Sequence, residues 1–532
     1  MRKLVQVGLF VCVSLAFGDN YPRQPGIDAQ HYVFRITLSD ESDEVAGETT
    51  ADLRFVSDAV TQVTLDLTSL KDGKGMMVSD VTCGAAPVKF AHANDRLTIA
   101  LIPSPKAGER RQFTVKYRGR PGSGLHIGKN KFGDRTFFSW NWPTLARQWL
   151  PTIDHPSDKA TSEFLVTAPA HYQVVANGLL VEELDLADGR RMTHWKQSVP
   201  IAAWLNNIGV ARFASRHFGT AAGVPLETWV FPQDRENGII TFEEPTRRAM
   251  EFFISHIGPY PYEKLADVQV SEMGGGMEHA SAIFYGESAV SNRPAFGLVA
   301  HEISHQWFGD SVTEKDWDDA WLSEGFATYF AALATEFYEG RDAFAASMKR
   351  SRSGILGMEK RTPNIAVIHD NLPEIQNGRA PVGIVYQKGG WVLHMLRGVI
   401  GTERFWVGIR EYYRAYRDSN ASTDDLRRVM EEASATDLEW FFRQWLRRAG
   451  SPKIEGGWKY NVAAKRVEVE LAQTQSGDAF RLPLDVAIGE KTVRVEMTSK
   501  SQRFDIPADR DPGTVELDPN LWVLMDAKFA KR

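Results

Sequence analysis

The 532-residue sequence is poor in cysteine, with only Cys12 and Cys83. Two cysteines allow one disulfide at most, which excludes a disulfide-stabilised scaffold. The sequence also lacks a large excess of either charge, because it has 62 Lys and Arg residues and 68 Asp and Glu residues. This near balance argues against a polybasic protein that binds nucleic acid or a membrane surface. A hydrophobic content of 43%, with 11% aromatic residues, gives several domains a core and excludes wholesale disorder.

A hydrophobic run long enough to cross a bilayer is lacking as well. Residues 4–17 form an apolar run of about 14 residues after Arg2 and Lys3, which is too short to span a membrane comfortably. A basic start, a short apolar run and small residues behind it are typical of a secretory signal. We therefore predict a signal peptide at 1–18 and an exported protein, periplasmic or secreted, with no stable membrane insertion. A buried N-terminal strand or a short membrane anchor is the alternative.

The rest of the sequence divides into three parts by its apolar pattern. Short alternating segments from about residue 32 to 232 predict an antiparallel β domain. From about residue 236, apolar residues recur at helical spacing. After Gly450-Ser451-Pro452 the strict alternation returns. The predicted domains are an N-terminal β domain at 19–232, a mostly α-helical domain at 233–450 and a small C-terminal β domain at 451–532. The predicted helices are Glu243–Ile257, Ala320–Tyr338, Trp391–Ile400 and Asp424–Arg448.

The segment His301-Glu302-Ile303-Ser304-His305 is an HExxH motif. Two histidines at positions i and i+4 lie on the same face of a helix, about 6 Å apart along its axis, so their rings can converge on one ion. The glutamate between them is then placed to act as a general base. Core or surface histidines on an ordinary helix are the alternative interpretation of this motif alone.

A catalytic zinc needs a third protein ligand, and Glu324 is the candidate. It follows His305 after 18 intervening residues and lies among apolar neighbours, which is unusual for a solvated helix charge. We predict one Zn²⁺ per chain, held by two histidines and this glutamate. Asp310 and Asp319 are candidates to accept hydrogen bonds from the histidine rings, with capping or surface roles as the alternative.

These motifs and several others together resemble the M1 (gluzincin) zinc aminopeptidases. The resemblance runs from about residue 30 to the C-terminus. It is carried by the segments Ala300–Tyr329, Gly275–His279, Tyr386–Gly390, Ala146–Arg147, Asp154–Pro156, Ala176–Gly178 and Glu516–Pro519. It implies a multidomain α+β fold with an N-terminal antiparallel β saddle domain, a thermolysin-like mostly α catalytic domain and a small C-terminal β-sandwich.

The resemblance also implies roles for individual residues. His301, His305 and Glu324 would hold zinc, and Glu302 would deprotonate the attacking water. Tyr386 would donate a hydrogen bond to the developing oxyanion.

Substrate binding is implied for the segment Gly275-Gly276-Met277-Glu278. The carboxylate of Glu278 would pair with the free α-ammonium of a peptide. Gly275 and Gly276 would let an extended peptide approach the backbone closely, although a flexible turn is the alternative interpretation.

Two positions depart from the family pattern. His279 stands where the motif has asparagine. Trp142 stands where a second acidic or amide anchor for the substrate N-terminus is common. Trp142 could line the pocket for the first substrate side chain, bind the ammonium by a cation–π contact, or only pack.

We therefore expect an exported zinc metallo-aminopeptidase that hydrolyses the N-terminal peptide bond of peptides. A gluzincin with endopeptidase or dipeptidyl-type specificity is the alternative, because Trp142 replaces one anchor. A non-catalytic peptide-binding relative and an epoxide-hydrolysing variant are less favoured. The large helical domain of longer family members is expected to be absent, which would leave an open site for longer peptides. Peptides are the expected partners, and nucleic acid is not.

Overall fold

The structure, a computed structural model, describes residues 19–58, 60–369 and 381–532. The predicted signal peptide at 1–18 lies outside the described residues. Each helix within those three ranges is too short or too polar to span a bilayer.

The N-terminal part is built on an eight-stranded sheet. Its strands alternate buried and exposed residues, as in Lys159–Pro169, which is the pattern that the sequence predicts. In sheet order the strands are Leu179–Asp185, Arg190–Ala202, Lys159–Pro169, Ile27–Thr37, Val45–Phe55, Arg110–Arg120, Gly75–Cys83 and Ala86–Pro87.

The prediction of a purely antiparallel sheet is wrong at one place. Ile27–Thr37 and Lys159–Pro169 pair in parallel, while the other neighbours in this sheet are antiparallel. More than a hundred residues separate these two strands in the sequence, which is room for the long crossover that a parallel pair needs.

Two smaller sheets complete this part of the chain. The first, in sheet order, contains Gln173–Ala176, Ile208–Ala211, Arg135–Ser139 and Leu125–Lys129. The second contains Gln62–Asp66, Arg96–Ala100 and Phe90–Ala93. Large side chains such as Phe34, Phe113 and Trp149 are fully buried in the core of this region.

A five-stranded sheet contains strands from both sides of residue 232, the predicted domain boundary. The boundary itself stays a prediction. In sheet order its strands are Ala214–Ala221, Val224–Val230, Leu265–Val270, Ala282–Gly286 and Gly276–Met277. Val224–Val230 pairs in parallel with Leu265–Val270, so the two sides of the boundary share backbone hydrogen bonds. The edge strand Gly276–Met277 carries the predicted substrate-binding glycine Gly276 to the border of the helical region.

The helical region contains eight helices of eight or more residues among the described residues. They are Glu244–His256, Phe296–His305, Trp321–Glu339, Arg341–Arg361, Gln387–Ile400, Thr402–Tyr416, Thr423–Ser434 and Glu439–Leu446. The helices predicted from apolar spacing are present, but the one expected at Asp424–Arg448 is divided in two. Ala435 adopts a left-handed conformation with a φ of 50°, which ends the first of the pair. A two-stranded ladder of Val312–Glu314 and Ser419–Ala421 joins this region internally.

The chain after Pro452 is again made of strands, as the alternation predicts. One sheet contains Ser501–Pro507, Arg466–Gln473, Lys453–Asn461 and Asp526–Lys531 in sheet order. A second sheet contains Lys491–Met497, Leu482–Ile488 and Val515–Leu517. We call residues 450–532, which begin with Gly450-Ser451-Pro452, the C-terminal strand module.

One carboxylate in the five-stranded sheet makes stability depend on pH. Asp267 is fully buried and accepts a hydrogen bond of 2.6 Å from the Thr246 hydroxyl. Burial raises the pKa of Asp267 to about 7. In the unfolded chain an aspartate titrates near pH ~4. The folded state therefore retains the proton to higher pH, and its stability falls as the pH rises through both values.

We predict that Asp267→Asn, which removes the ionisation, flattens this pH dependence. Between about pH 5.5 and about pH 8.5 the variant should lose about 2 kcal/mol less unfolding free energy than the wild type. Urea unfolding followed by circular dichroism at both pH values measures the difference. Equal losses in the two proteins would contradict the prediction.

Candidate active site

The HExxH motif lies on the helix Phe296–His305, which we call the HExxH helix. His301 and His305 are one turn apart at its C-terminal end, on the same face. Their Nε2 atoms are 3.2 Å apart. The convergence that the spacing predicts is therefore present in the structure.

Glu324 completes a triangle of donor atoms from a second helix. It lies in the first turn of the helix Trp321–Glu339, which we call the Glu324 helix. Its Oε2 atom is 3.5 Å from His301 Nε2 and 3.4 Å from His305 Nε2. Tetrahedral zinc with bonds of about 2.0–2.1 Å separates its ligand atoms by about 3.3–3.4 Å. Both the donor types and their spacing fit a zinc ion.

The charge state of Glu324 suits a metal ligand. Burial alone would raise its pKa, but the contacts with His301 and His305 outweigh this and lower the pKa of Glu324 to about 2. The side chain is therefore ionised at neutral pH. An ionised carboxylate is the form that binds a cation.

Ser323 orients His305, a role that the sequence reasoning missed. Its Oγ atom lies 2.9 Å from His305 Nδ1, so a hydrogen bond from Nδ1–H leaves the Nε2 lone pair facing the triangle. Gly309 makes room for this contact, because a Cβ atom there would lie 2.3 Å from Ser323 Oγ. The only sequence signal for Ser323 is its place directly before Glu324.

Asp310 and Asp319, the candidates to accept hydrogen bonds from the histidine rings, have other hydrogen-bond donors among the described residues. Asp310 accepts a hydrogen bond of 2.8 Å from the side-chain amide of Gln306. Asp319 accepts hydrogen bonds from the backbone N–H and the hydroxyl of Thr423, at 3.1 and 2.6 Å. Asp319 thus accepts hydrogen bonds at the start of the helix Thr423–Ser434, next to its N-cap residue Ser422.

A cavity of about 420 Å³ lies beside the triangle. Its wall includes eight of the residues that the sequence predicts for the site. They are Gly275, Gly276, Glu278, His301, Glu302, His305, Glu324 and Tyr386. The structure therefore brings together residues that are more than a hundred positions apart in the chain.

Two residues that the sequence analysis assigns to substrate binding, Met277 and Trp142, do not line this cavity. Met277 is buried, with 3% of its surface exposed. Trp142 is half-buried and places its ring perpendicular to that of Trp317, with 6.3 Å between the centroids. The packing interpretation of Trp142 has this direct contact in its favour, and a role of Trp142 in substrate binding stays a prediction.

Glu278 presents an unsatisfied carboxylate to the cavity. The side chain is almost fully buried, and its Oε1 atom accepts no hydrogen bond from another described residue. Oε1 lies 3.8 Å from His305 Nδ1. Burial raises the pKa of Glu278 to about 7; nearby His305 opposes the rise and Glu324 adds to it. A cation that enters the cavity would offset the free-energy cost of burying this carboxylate.

Gly276 leaves room for the side chain of Glu302, which gives this glycine a second role besides the predicted approach of a peptide. A Cβ atom at Gly276 would lie 2.3 Å from the Glu302 carboxylate. Glycine is therefore needed for the predicted base and not only for a peptide substrate. At Gly275 the φ of 76° is left-handed, which also favours glycine.

Glu302 itself is buried beside a second carboxylate. One donor atom from each of Glu278, Glu302 and His305 lies within 4.8 Å of the other two. Burial, and then the charge of Glu278, raise the pKa of Glu302 well above its ordinary value. The carboxylate is therefore a stronger base than a solvated glutamate.

The ring of Tyr386 faces the ring of His301. Their rings are parallel, with 6.1 Å between the centroids. Tyr386 directly precedes the helix Gln387–Ile400, which we call the Tyr386 helix. Burial, and then the charge of Glu324, raise the pKa of Tyr386 well above its ordinary value. The phenol is therefore protonated at neutral pH and able to donate a hydrogen bond.

A contact between two glycines sets the distance between Glu324 and Tyr386. A Cβ atom at Gly325 would lie 2.8 Å from the carbonyl carbon of Gly389. The Glu324 helix and the Tyr386 helix thus touch backbone to backbone within a few residues of each functional side chain. Sequence reasoning did not find this contact, because nothing local distinguishes it from any other helical glycine.

His279, which departs from the family pattern, is fully buried. Its ring packs edge-on against Phe284, with 4.9 Å between the centroids. Burial lowers the pKa of His279 to about 3, so the ring is neutral at physiological pH. It therefore adds no charge to the site.

Comparison with known families agrees with this geometry. The model of the peptidase M1 N-terminal domain matches residues 28–205, and the model of the peptidase family M1 domain matches residues 243–445. The chain belongs to peptidase family M1. The M1 peptidase fold accounts for the N-terminal β-rich part and for the helical catalytic part that carries the HExxH helix.

Curated relatives of this M1 chain include aminopeptidases. Glutamyl aminopeptidase of Bitis rhinoceros is 29% identical over 343 residues, which covers 61% of this chain and 35% of that protein. Tricorn protease-interacting factor F2 of Thermoplasma acidophilum is 26% identical over 448 residues, which covers 81% of this chain and 56% of that protein. The chain thus spans about a third to somewhat over half of the length of these relatives.

The match to solved M1 structures covers a larger share of the other protein's chain. An M1 zinc metallopeptidase from Deinococcus radiodurans is 25% identical, with a TM-score of 0.68, and the match covers 80% of this chain and 94% of that one. A two-domain M1 zinc metallopeptidase mutant bound to L-arginine has a TM-score of 0.69 at 24% identity, over 80% of this chain and 95% of that one. The second likeness shows the fold alone.

We predict that Gly276→Ala lowers kcat and leaves zinc bound. The added methyl group displaces the Glu302 carboxylate, and a misplacement of about 1 Å costs on the order of 100-fold in rate. The three atoms nearest to this methyl group all belong to Glu302 and none to a predicted zinc ligand, so the zinc content measured by atomic absorption should stay at one per chain.

Gly274→Ala is the matched control, because a Cβ atom at Gly274 meets no atom within 4 Å. It should cost far less rate than Gly276→Ala. Equal losses of kcat in both variants, or loss of zinc in Gly276→Ala, would contradict the role assigned to Gly276.

Proposed function

We propose that this M1 peptidase is a zinc aminopeptidase that hydrolyses the N-terminal peptide bond of peptides. The observation that carries the proposal is the cavity that Glu278, Glu302 and the His301–His305–Glu324 triangle share. One wall thus offers a metal site, a base and a carboxylate with one oxygen that accepts no hydrogen bond from a described residue. The aminopeptidases among the relatives support the same activity.

His301, His305 and Glu324 would hold the zinc ion. When bound, zinc lowers the pKa of a water molecule and polarises the carbonyl of the scissile bond. Ser323 keeps the His305 ring in the tautomer that offers Nε2. Two histidines and one glutamate are a ligand set that catalytic zinc sites use, so the residues present would suffice to hold the ion.

Glu302 would accept the proton of the attacking water. Its side chain lines the cavity, and its carboxylate is held against Gly276, so it has little freedom to turn away. The raised pKa favours proton uptake, and the same residue can then pass the proton to the leaving amine.

Tyr386 would donate its phenolic hydrogen to the oxyanion that develops on the substrate carbonyl. The phenol stays protonated because burial and Glu324 raise its pKa. A donor fixed in place before the reaction stabilises the charge without reorganisation, which is the usual strength of an oxyanion site.

Glu278 would bind the α-ammonium of the substrate and so fix the cleavage one residue from the N-terminus. Its Oε1 atom has no hydrogen-bond donor among the described residues, which leaves it ready to pair with an ammonium. A gluzincin with endopeptidase or dipeptidyl-type specificity is the second candidate. It is favoured by Trp142, which stands where a second anchor is expected and packs on Trp317.

Export and the C-terminal architecture belong to the proposal as well. We propose that residues 1–18 act as a secretory signal and direct the enzyme to the periplasm or outside the cell. The two sheets of the C-terminal strand module support a small β-sandwich. Buried side chains from both sheets, including Val469 and Leu484, support a shared core between them.

We predict that aminoacyl-p-nitroanilides are hydrolysed and that their N-acetylated forms are not, because acetylation removes the charge that Glu278 binds. Glu302→Gln should lower kcat by about 100-fold or more, since a positioned base contributes that much. Initial rates with matched zinc content measure both effects. Turnover of acetylated substrates would favour the endopeptidase candidate, and a near wild-type Glu302→Gln would overturn the mechanism.

We predict that Glu278→Gln lowers kcat/KM for free dipeptides by about 10- to 100-fold, as expected for the loss of a charge-assisted contact of about 1.5–3 kcal/mol. Glu314→Gln is the matched control, because Glu314 is another buried carboxylate with no hydrogen-bond donor among the described residues and does not line the cavity. Similar losses in the two variants would show that burial, and not the substrate ammonium, explains the effect.

A further inference from the structure

The Tyr386 helix is attached to the C-terminal strand module, a part of the chain that lies beyond both family matches. The first attachment is made by Lys388, two residues after Tyr386. This lysine is fully buried, and its Nζ atom donates hydrogen bonds to Glu359 Oε1 at 2.8 Å and to the carbonyl of Gly450 at 3.0 Å. Burying an ammonium is costly unless such partners compensate it.

Glu359 extends this attachment to a third element. It belongs to the helix Arg341–Arg361 and also accepts a hydrogen bond of 2.9 Å from the hydroxyl of Ser451. Residues Lys388, Glu359, Gly450 and Ser451, which we call the Lys388 junction, therefore tie the Tyr386 helix to a neighbouring helix and to the start of the C-terminal strand module.

The middle and the C-terminal end of the Tyr386 helix are held by the C-terminal strand module too. His394 Nε2 donates to the carbonyl of Leu521 at 2.9 Å, and its ring stacks on Trp522 with 4.9 Å between the centroids. Arg494 donates to the carbonyl of Gly398 at 2.8 Å. A Cβ atom at Gly398 would lie 2.8 Å from the Trp522 ring. These contacts run along the helix from its first turn to its last.

These attachments resist rotation of the Tyr386 helix about its axis, which the glycine contact near Tyr386 does not. The contact of Gly325 with Gly389 brings two helices close together, but glycines have no side chains that interlock, so it does not fix the rotation of the Tyr386 helix about its axis. A rotation would swing Tyr386 away from His301. The Lys388 junction opposes it, because the ammonium would leave both of its acceptors.

We propose that Lys388 is a positioning residue for Tyr386 and that the C-terminal strand module serves the reaction by holding this helix. The proposal rests on the oxyanion role of Tyr386 given above. Lys388 acts through the tyrosine and does not line the cavity. A purely structural lysine would stabilise the fold without any link to the tyrosine hydroxyl.

A double-variant cycle separates these two roles. Lys388→Met should lower kcat by about 10- to 100-fold, with KM changed by less than about threefold and zinc still bound. In a Tyr386→Phe background, which lacks the hydroxyl, Lys388→Met should lower kcat by less than about twofold further. Steady-state kinetics on an aminoacyl-p-nitroanilide, with zinc content and circular dichroism for each protein, give all the quantities.

Lys264→Met is the matched control. Lys264 is another buried lysine, and its ammonium donates to the carbonyls of Ala176 and Ser281 at 2.8 and 3.4 Å. Lys264→Met should lower kcat by the same factor in the wild-type and the Tyr386→Phe backgrounds. A coupling as large as that of Lys388 would show that any buried lysine produces the effect, and would overturn the proposal.

Glu359 provides a second route if Lys388→Met does not fold. Glu359→Gln keeps an oxygen that accepts from Lys388, whereas Glu359→Leu leaves the ammonium without its carboxylate. The leucine variant should lose kcat by a factor similar to that of Lys388→Met and show the same coupling to Tyr386→Phe. The glutamine variant should lose clearly less.

The outcomes distinguish this proposal from the one it rests on. A wild-type kcat in Tyr386→Phe overturns the oxyanion role, and the positioning role with it. A slow Tyr386→Phe in which Lys388→Met or Glu359→Leu still costs its full factor overturns only the positioning role. Loss of zinc in the Lys388 or Glu359→Leu variant does the same, because it places the effect at the triangle.

Discussion

The structure depends on the burial of three carboxylates, Glu278, Glu302 and Glu324, around His305. Like charges at this separation in a site of low polarity repel one another strongly, and an unpaired buried charge is costly. Two cations relieve this strain in the proposed enzyme. A divalent zinc ion at the triangle and the α-ammonium of a substrate at Glu278 would together carry three positive charges, which would match the three carboxylates. In the proposed enzyme, metal binding and selection of a free N-terminus would thus follow from one electrostatic constraint.

Close backbone approaches make this arrangement possible. Gly276 leaves room for the Glu302 carboxylate, Gly309 for Ser323, and Gly325 for the backbone of Gly389. Gly276 and Gly309 thus each make room for a side chain of the site on another element, and Gly325 lets the Glu324 helix approach the Tyr386 helix. The C-terminal strand module then fixes the Tyr386 helix along its length, so that the active site draws on the helical region, the five-stranded sheet and the C-terminal strands together.

The histidine pair could be predicted from the sequence because helical periodicity is local, whereas the roles expected of Glu278 and Tyr386 came from the family resemblance. The spacing of His301 and His305 determines that they share a face, and the apolar setting of Glu324 points to burial. The remainder depends on tertiary contacts with no local signature. Neither the pairing of Ser323 with His305 nor the contacts of Lys388 follow from spacing. For the same reason the parallel pairing of Ile27–Thr37 with Lys159–Pro169 escaped a prediction based on alternation, which is the same for both pairing directions.

Anomalous diffraction at the zinc edge, on crystals of the full chain prepared with one equivalent of zinc, tests the account most directly. The account predicts a single peak at bonding distance from the Nε2 atoms of His301 and His305 and from a carboxylate oxygen of Glu324, about 2.0–2.2 Å from each. A second group of potential ligands, Glu278, Glu302 and His305, lies beside the triangle. A peak bound by that group, with Glu324 left out, would contradict the account.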